Sequence, residues 1–150
     1  MGNRNSLVLN SEFEESLRIL LILYNQRDIE INCTKIIALD ILTIYGENYC
    51  VSENNLNGNN PYSYLEYLNR QLDGEKEIKK LILLGLVKIN YSSKGYTYSI
   101  TQKGIRYVDS LESQYVQEYL EINTNVIEKY NNLSDHELEK IIKIISCEED

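Results

Sequence analysis

Residues 83–104, LLGLVKINYSSKGYTYSITQKG, decide the fold. Leu83 and Leu84 close an apolar helical pattern that Gly85 stops. Leu86 to Tyr91 and Tyr96 to Ile100 then alternate apolar and polar residues, as half-buried strands do, across a Gly-containing turn at Ser92 to Gly95. Thr101 stands where a cap belongs, ahead of a helix carrying Ile105, Val108 and Leu111. A helix end, a hairpin and a capped helix in that order predict a mainly α fold with one small β-hairpin.

Upstream, Ser11-x-x-Glu14 is a capping box, and Phe13, Leu17, Leu20, Leu21 and Tyr24 follow at helical spacing. Ile19, Ile22 and Leu23 lie off that stripe, so this first helix is apolar nearly all round and must be covered on several sides. Ile29-Glu30-Ile31 reads as a brief strand, and Asn32 caps a second greasy helix over Cys33 to Tyr45, ended by Gly46. Glu47 to Asn60 is polar and rich in asparagine, a long loop that is either mobile or a contact surface. Helical signal resumes from Tyr62 to Leu72, Asp73-Gly74 breaks or bends it, and a further helix over Glu75 to Leu84 turns Ile78, Leu81 and Ile82 inward. Helices running into Gly-Leu-Val, a hairpin and a Thr-x-x-Gly helix have the profile of a winged helix-turn-helix, with the hairpin as the wing.

Downstream of Ser113, Tyr115, Tyr119, Ile122, Val126 and Tyr130 recur at steps of four, three, four and four, which predicts a long amphipathic helix. Ser134-x-x-Glu137 is a second capping box, opening a helix with Leu138, Ile141, Ile142 and Ile145. The expected organisation is one domain over residues 1–150. Its winged-helix core spans about residues 11–110, and amphipathic helices form a C-terminal extension over about 111–150.

Composition narrows the function. With 43% hydrophobic and 25% charged residues the chain is an ordinary globular one, not a disordered tail or a disulfide scaffold. A net charge of −8 argues against binding nucleic acid or anionic lipid through global charge. Residues 61–110 nevertheless carry eight basic against five acidic side chains, while residues 1–60 carry four against eight and residues 111–150 three against ten. Arg70 belongs to that basic module, and Lys76, Lys79, Lys80 and Lys94 are its candidate DNA-backbone contacts. Glu75 and Glu77 interleave with the lysines, and Lys94 is alone at the wing tip, so few phosphates could be neutralised. Leu7-Val8-Leu9 is too short for a signal core, and no apolar run approaches the ~20 residues of a membrane span. Cys33, Cys50 and Cys147 are far apart with no metal or redox spacing, and read as free cytoplasmic thiols packed as small apolar residues.

Chemistry is sparse. The one histidine, His136, sits at a helix start and reads as solvent-facing. The glycines never cluster, and no nucleotide-binding, hydrolase or zinc motif is present. No catalytic residue, metal or cofactor is expected. Asp40 is the outlier, an acid inside Ile36-Ile37-Ala38-Leu39-Asp40-Ile41-Leu42-Thr43-Ile44. A buried carboxylate needs a partner, within the chain or across an interface, unless that edge of the helix faces water. The tyrosine stripe packs on its own domain or docks another chain, because tyrosine serves both surroundings. Asp40, Tyr115, Tyr119, Ile122 and Val126 are the candidate partner contacts.

Four segments carry a family resemblance: Ala38-Leu39-Asp40, Pro61-Tyr62, Leu83-Leu84-Gly85-Leu86-Val87, and Leu133-Ser134-Asp135-His136-Glu137-Leu138. In their order and spacing, from about Leu17 to Ile145, the chain resembles the middle component of ABC-three-component systems, the small subunit beside an SMC-like ATPase in Lamassu-type antiphage defence. The resemblance implies a non-catalytic adaptor that bridges an SMC-like coiled-coil ABC ATPase to an effector, often a nuclease, and restrains it until invading DNA is sensed. DNA would be met only through the complex, and no membrane is involved. The competing reading is a free-standing winged-helix transcription regulator that dimerises through its long C-terminal helix.

Overall fold

A computed structural model describes residues 12–93 and 95–148. The Ser11 capping box and Lys94 lie outside the described residues. Helix α1 spans Glu12–Asn25, α2 Cys33–Ile44, α3 Ser63–Leu83, α4 Gln102–Asp109, α5 Gln114–Tyr130 and α6 Asp135–Glu148. A 3-10 turn, Gly46–Tyr49, follows α2, and the hairpin strands β1, Val87–Ser92, and β2, Gly95–Ile100, separate α3 from α4. The fold is mainly helical with a two-stranded antiparallel hairpin, its register set by Val87 opposite Ile100 and Tyr91 opposite Tyr96.

The caps act where local chemistry places them. Asn32 accepts from the Lys35 amide at 2.8 Å, and Thr101 accepts from that of Gly104 at 3.0 Å. Ser134 and Glu137 bond reciprocally, the Ser134 amide to Glu137 Oε1 at 3.0 Å and the Glu137 amide to Ser134 Oγ at 3.2 Å. Each cap satisfies amide groups that a helix start leaves unpaired.

The greasiness of α1 and α2 is consumed inside the chain. Ile19 to Leu23 are fully buried, and α2 is buried from Ile36 through Ile44. α1 packs against α2, α3, α4, α5 and β2, while α2 packs against α3, α5, α6 and β2. The expected Ile29 to Ile31 strand is reduced to a single bridge, in which Ile31 and Tyr98 exchange backbone hydrogen bonds of 3.0 and 2.9 Å. That bridge ties the α1–α2 connection to the hairpin.

Two expectations are corrected, at Asp73-Gly74 and at Cys50. Asp73-Gly74 does not break α3, which runs unbroken for 21 residues. Gly74 is instead a packing residue: a Cβ there would lie 2.8 Å from Cys33 Sγ and 3.2 Å from Ile37, so its absence lets α3 approach α2 closely. The asparagine loop is pinned by its own side chains, with Asn55 accepting from the Glu47 amide at 2.9 Å and donating to Asn59 at 2.8 Å, and Asn60 donating to Glu66 at 3.0 Å. It is further held by α5, where Asn125 donates to the Val51 carbonyl at 3.1 Å and Lys129 to that of Tyr49 at 2.8 Å. Finally, Cys50 is exposed, not packed, although Cys33 does pack under α3.

Gly74→Ala should therefore destabilise the protein by up to about 2 kcal/mol, because overpacking outweighs the ~1 kcal/mol that alanine gains in helix propensity. Urea unfolding of Gly74→Ala and of Gly74→Ala with Cys33→Ala checks this. The second change should recover part of the loss.

Candidate functional site

Three helices of this chain each carry ionic side chains toward one point. Arg18 interrupts the apolar face of α1, Asp40 that of α2, and Arg70 lies on the inward face of α3 beside Tyr67, Gly74 and Glu77. Asp40 is wholly buried, Arg18 2% exposed and Arg70 5% exposed, so water solvates none of them appreciably. Arg18 Nε donates to both Asp40 oxygens, at 2.9 and 3.1 Å, and its Nη1 lies 3.1 Å from Glu14. Arg70 Nη1 donates to Asp40 Oδ2, and Tyr119 brings in α5 by donating its hydroxyl to Asp40 Oδ1 at 2.5 Å.

Burial alone would push the Asp40 carboxyl up. The two guanidinium groups and the tyrosine hydroxyl outweigh it and hold the group at about 2, well below its ordinary 3.8. Glu77 goes the other way: burial, with Glu15 nearby, raises its carboxyl from 4.5 to about 8 despite Arg70 at 3.6 Å. At neutral pH the centre thus sets the Arg18 and Arg70 cations against the Asp40 carboxylate, with Glu77 pushed toward its protonated form.

This geometry answers the question Asp40 raised. Its partners are intramolecular, and Asp40, Tyr119 and Val126 are each fully enclosed by their own chain. Tyr115 and Ile122 are half-buried, with Tyr115 donating to Asn57 at 3.1 Å. The inward row of α5 is Val116, Tyr119, Asn123, Val126 and Tyr130. Buried Asn123 accepts from Asn25 and donates to Thr43, both at 3.0 Å. Arg70, counted by sequence in the basic module of residues 61–110, is an interior residue.

Outside this centre, α3 presents a second feature. Positions 65, 68, 72, 76, 79 and 83 follow one another at helical spacing on the side opposite Tyr67, Arg70, Gly74, Ile78 and Leu81. They are Leu65, Leu68, Leu72, Lys76, Lys79 and Leu83, all exposed, with Leu72 at 84% and Leu83 at 76%. Lys76, Lys79 and Lys80 do lie on the surface, but the first two sit within this leucine row. His136 is exposed, and among the described residues no cluster of His, Cys, Asp or Glu could hold a metal ion. No helix among them is long and apolar enough to cross a membrane.

A family model described as ABC-three component (ABC-3C) system Middle Component 2 matches residues 8–147, nearly the whole chain. No curated protein and no solved structure matches it.

Removing the central carboxylate leaves two buried cations unpaired. Asp40→Ala should cost about 3–5 kcal/mol, and Tyr119→Phe about 1–3 kcal/mol, in urea unfolding at pH 7. The pH dependence has two limbs. The Asp40 carboxyl is depressed, so its contribution is present above pH 3.8 and lost as pH falls toward 2. The Glu77 carboxyl is raised, so its ionisation penalises the fold progressively as pH rises from 4.5 through about 8. Glu77→Gln should be nearly neutral at pH 5 and stabilising at pH 8.5, by about 1 kcal/mol or 2–4 °C, as thermal melts at the two pH values would show.

Proposed function

Because the chain belongs to the ABC-three-component Middle Component 2 family, we propose that it is a non-catalytic cytoplasmic adaptor, a winged-helix subunit that binds its partners through the outward face of α3. In this reading it bridges an SMC-like ABC ATPase to an effector such as a nuclease, in a Lamassu-type antiphage complex, and restrains the effector until foreign DNA is sensed. The observation that carries it is the exposed leucine row. A helix that reads the major groove needs donors and acceptors for base edges, and leucine supplies neither. Three leucines in register within two turns suit a protein partner, because desolvated apolar anchors dominate protein–protein affinity.

The ionic centre serves this role indirectly. Arg70 fixes α3 from within, so its outer row is presented on a rigid element and little order is lost on docking. The competing regulator reading assigns that face to DNA and makes Lys76, Lys79 and Lys80 its phosphate contacts.

Leu65→Glu with Leu72→Glu decides between them. Both side chains are exposed, so the melting temperature should barely change, within about 0.5 kcal/mol. Recovery of the ATPase and effector subunits on co-expression should fall at least tenfold, while Lys76→Glu with Lys79→Glu has a smaller effect that fades at high salt. Retained complex with the leucine variant, or a homodimer whose DNA affinity drops steeply with salt, would overturn the adaptor reading.

A further inference from the structure

The hairpin has one covered edge and one open edge. In an antiparallel ladder alternate residues of a strand bond to the partner strand, and those between them turn their backbone groups outward. Leu86 accepts from the Thr101 amide at 3.0 Å at the foot of the ladder, so Lys88 and Asn90 bond toward Ser99 and Thr97. Ile89 and Tyr91 therefore turn their N–H and C=O groups away from β2. On the outer edge of β2, Tyr98 exchanges both of its backbone bonds with Ile31. Among the described residues no strand or bridge covers the outer edge of β1 in the same way. Its register runs one to one over six pairs without a bulge, and residues 87–92 contain no proline, so neither device blunts this edge. Side chains mark the same place. Ile89 and Tyr91 share a face of the hairpin with Tyr98 and Tyr96. Tyr98 is buried, but Ile89 is exposed, as are Tyr91 at 76% and Tyr96 at 54%, their rings 5.1 Å apart.

We infer that the outer edge of β1 takes an extended strand from a different subunit, which adds to the sheet through its backbone. Donors and acceptors that recur at every second residue match the backbone of another strand, and side chains beside them select its sequence. Ile89, Tyr91 and Tyr96 lie on one face, and Lys88 and Asn90 on the other. The incoming strand thus alternates β-branched or aromatic residues with polar ones. A second copy of this chain meets the same ladder, with Ile89 opposite its own copy, Lys88 opposite Asn90 and no like charges facing. Size separates the two occupants. At ~3.3 Å per residue the six residues of β1 run about 20 Å, and a strip one strand wide and that long falls short of the ~1,000 Å² a stable interface buries. The occupant needs a second hold on the chain. The leucine row of α3 supplies it, ending at Leu83, four residues before Val87, and in the adaptor reading that row is covered by another subunit. One partner spanning both sites gains the affinity of linked contacts. The inference rests on the adaptor reading and deepens it by naming the form of the partner's segment.

Residue-resolved amide hydrogen exchange, on the full chain alone and in the complex with the co-expressed system subunits, tests it. In the chain alone the amides of Lys88 and Asn90 should exchange slowly and those of Ile89 and Tyr91 fast. In the complex Ile89 and Tyr91 should slow at least tenfold, and a photo-crosslinker at Tyr91→p-benzoylphenylalanine should map to another subunit. Ile89→Pro removes an outward N–H and leaves the β1–β2 ladder intact, so recovery should fall about tenfold, while Ile89→Val keeps it. Exchange in the unaltered chain decides the matter even where the proline variant folds poorly. Crosslinks confined to a second copy, or equal losses for Ile89→Pro and Ile89→Val, would overturn the inference. So would unchanged exchange at Ile89 and Tyr91 in an intact complex that Leu65→Glu with Leu72→Glu still abolishes; that outcome leaves the adaptor reading standing. Failure of the wild-type chain to recover any subunit removes both.

Discussion

A carboxylate with no exposure to water, clasped by two guanidinium groups, sets the terms for the rest of this molecule. Taking these ions out of water costs several kcal/mol each, and only close pairing returns it. The pairing requires α1, α2, α3 and α5 at once, since Arg18, Asp40, Arg70 and Tyr119 come one from each. Apolar side chains tolerate sliding by a fraction of a turn. A fork of hydrogen bonds on one carboxylate does not. Burial of the isoleucines and leucines around it supplies the bulk of the stability, and the ionic centre adds a demand on geometry that apolar burial alone does not make.

The same constraint shapes α3. On its inner side Arg70 reaches Asp40, Gly74 admits Cys33 and Ile37 to close range, and Glu77 sits beside Arg70. Those contacts fix both rotation and height of the helix. The outer row of leucines and lysines is then held by a scaffold that does not depend on it, which is the arrangement a docking surface needs. Substitution on the inner side of α3 bears on whether the chain folds, and in the adaptor reading substitution on the outer side bears on what it binds.

Features governed by neighbours three or four residues apart were legible in the sequence. The hairpin, the caps at Asn32, Thr101 and Ser134, and the inward set Ile78 and Leu81 all follow from local rules. Asp40 announced that it needed a partner but not which one, because Arg18 and Arg70 lie 22 and 30 residues away in the chain. Arg18 gave the same signal as Asp40, a single charge in an apolar helix, and the two could have been paired on that ground. Gly74 misled for the converse reason: a glycine weakens a helix locally, and only the approach of α2 explains its place. The leucines at 65, 68, 72 and 83 were illegible because α3 is apolar on two faces, and a one-dimensional pattern does not say which face turns inward.

Magnitudes decide what the outward face of α3 favours. Burying one leucine side chain is worth about 1.5–3 kcal/mol and is insensitive to salt. An exposed lysine opposite an anionic group contributes about 0–1 kcal/mol, and at physiological ionic strength its field fades within about 8 Å. Two lysines among four leucines therefore bias the row toward a partner that covers the leucines, with charge choosing the orientation. The acid-rich stretches on either side, with excesses of four and seven negative charges, repel a polyanion further. In the adaptor reading, contact with DNA therefore falls to another subunit that supplies the positive surface.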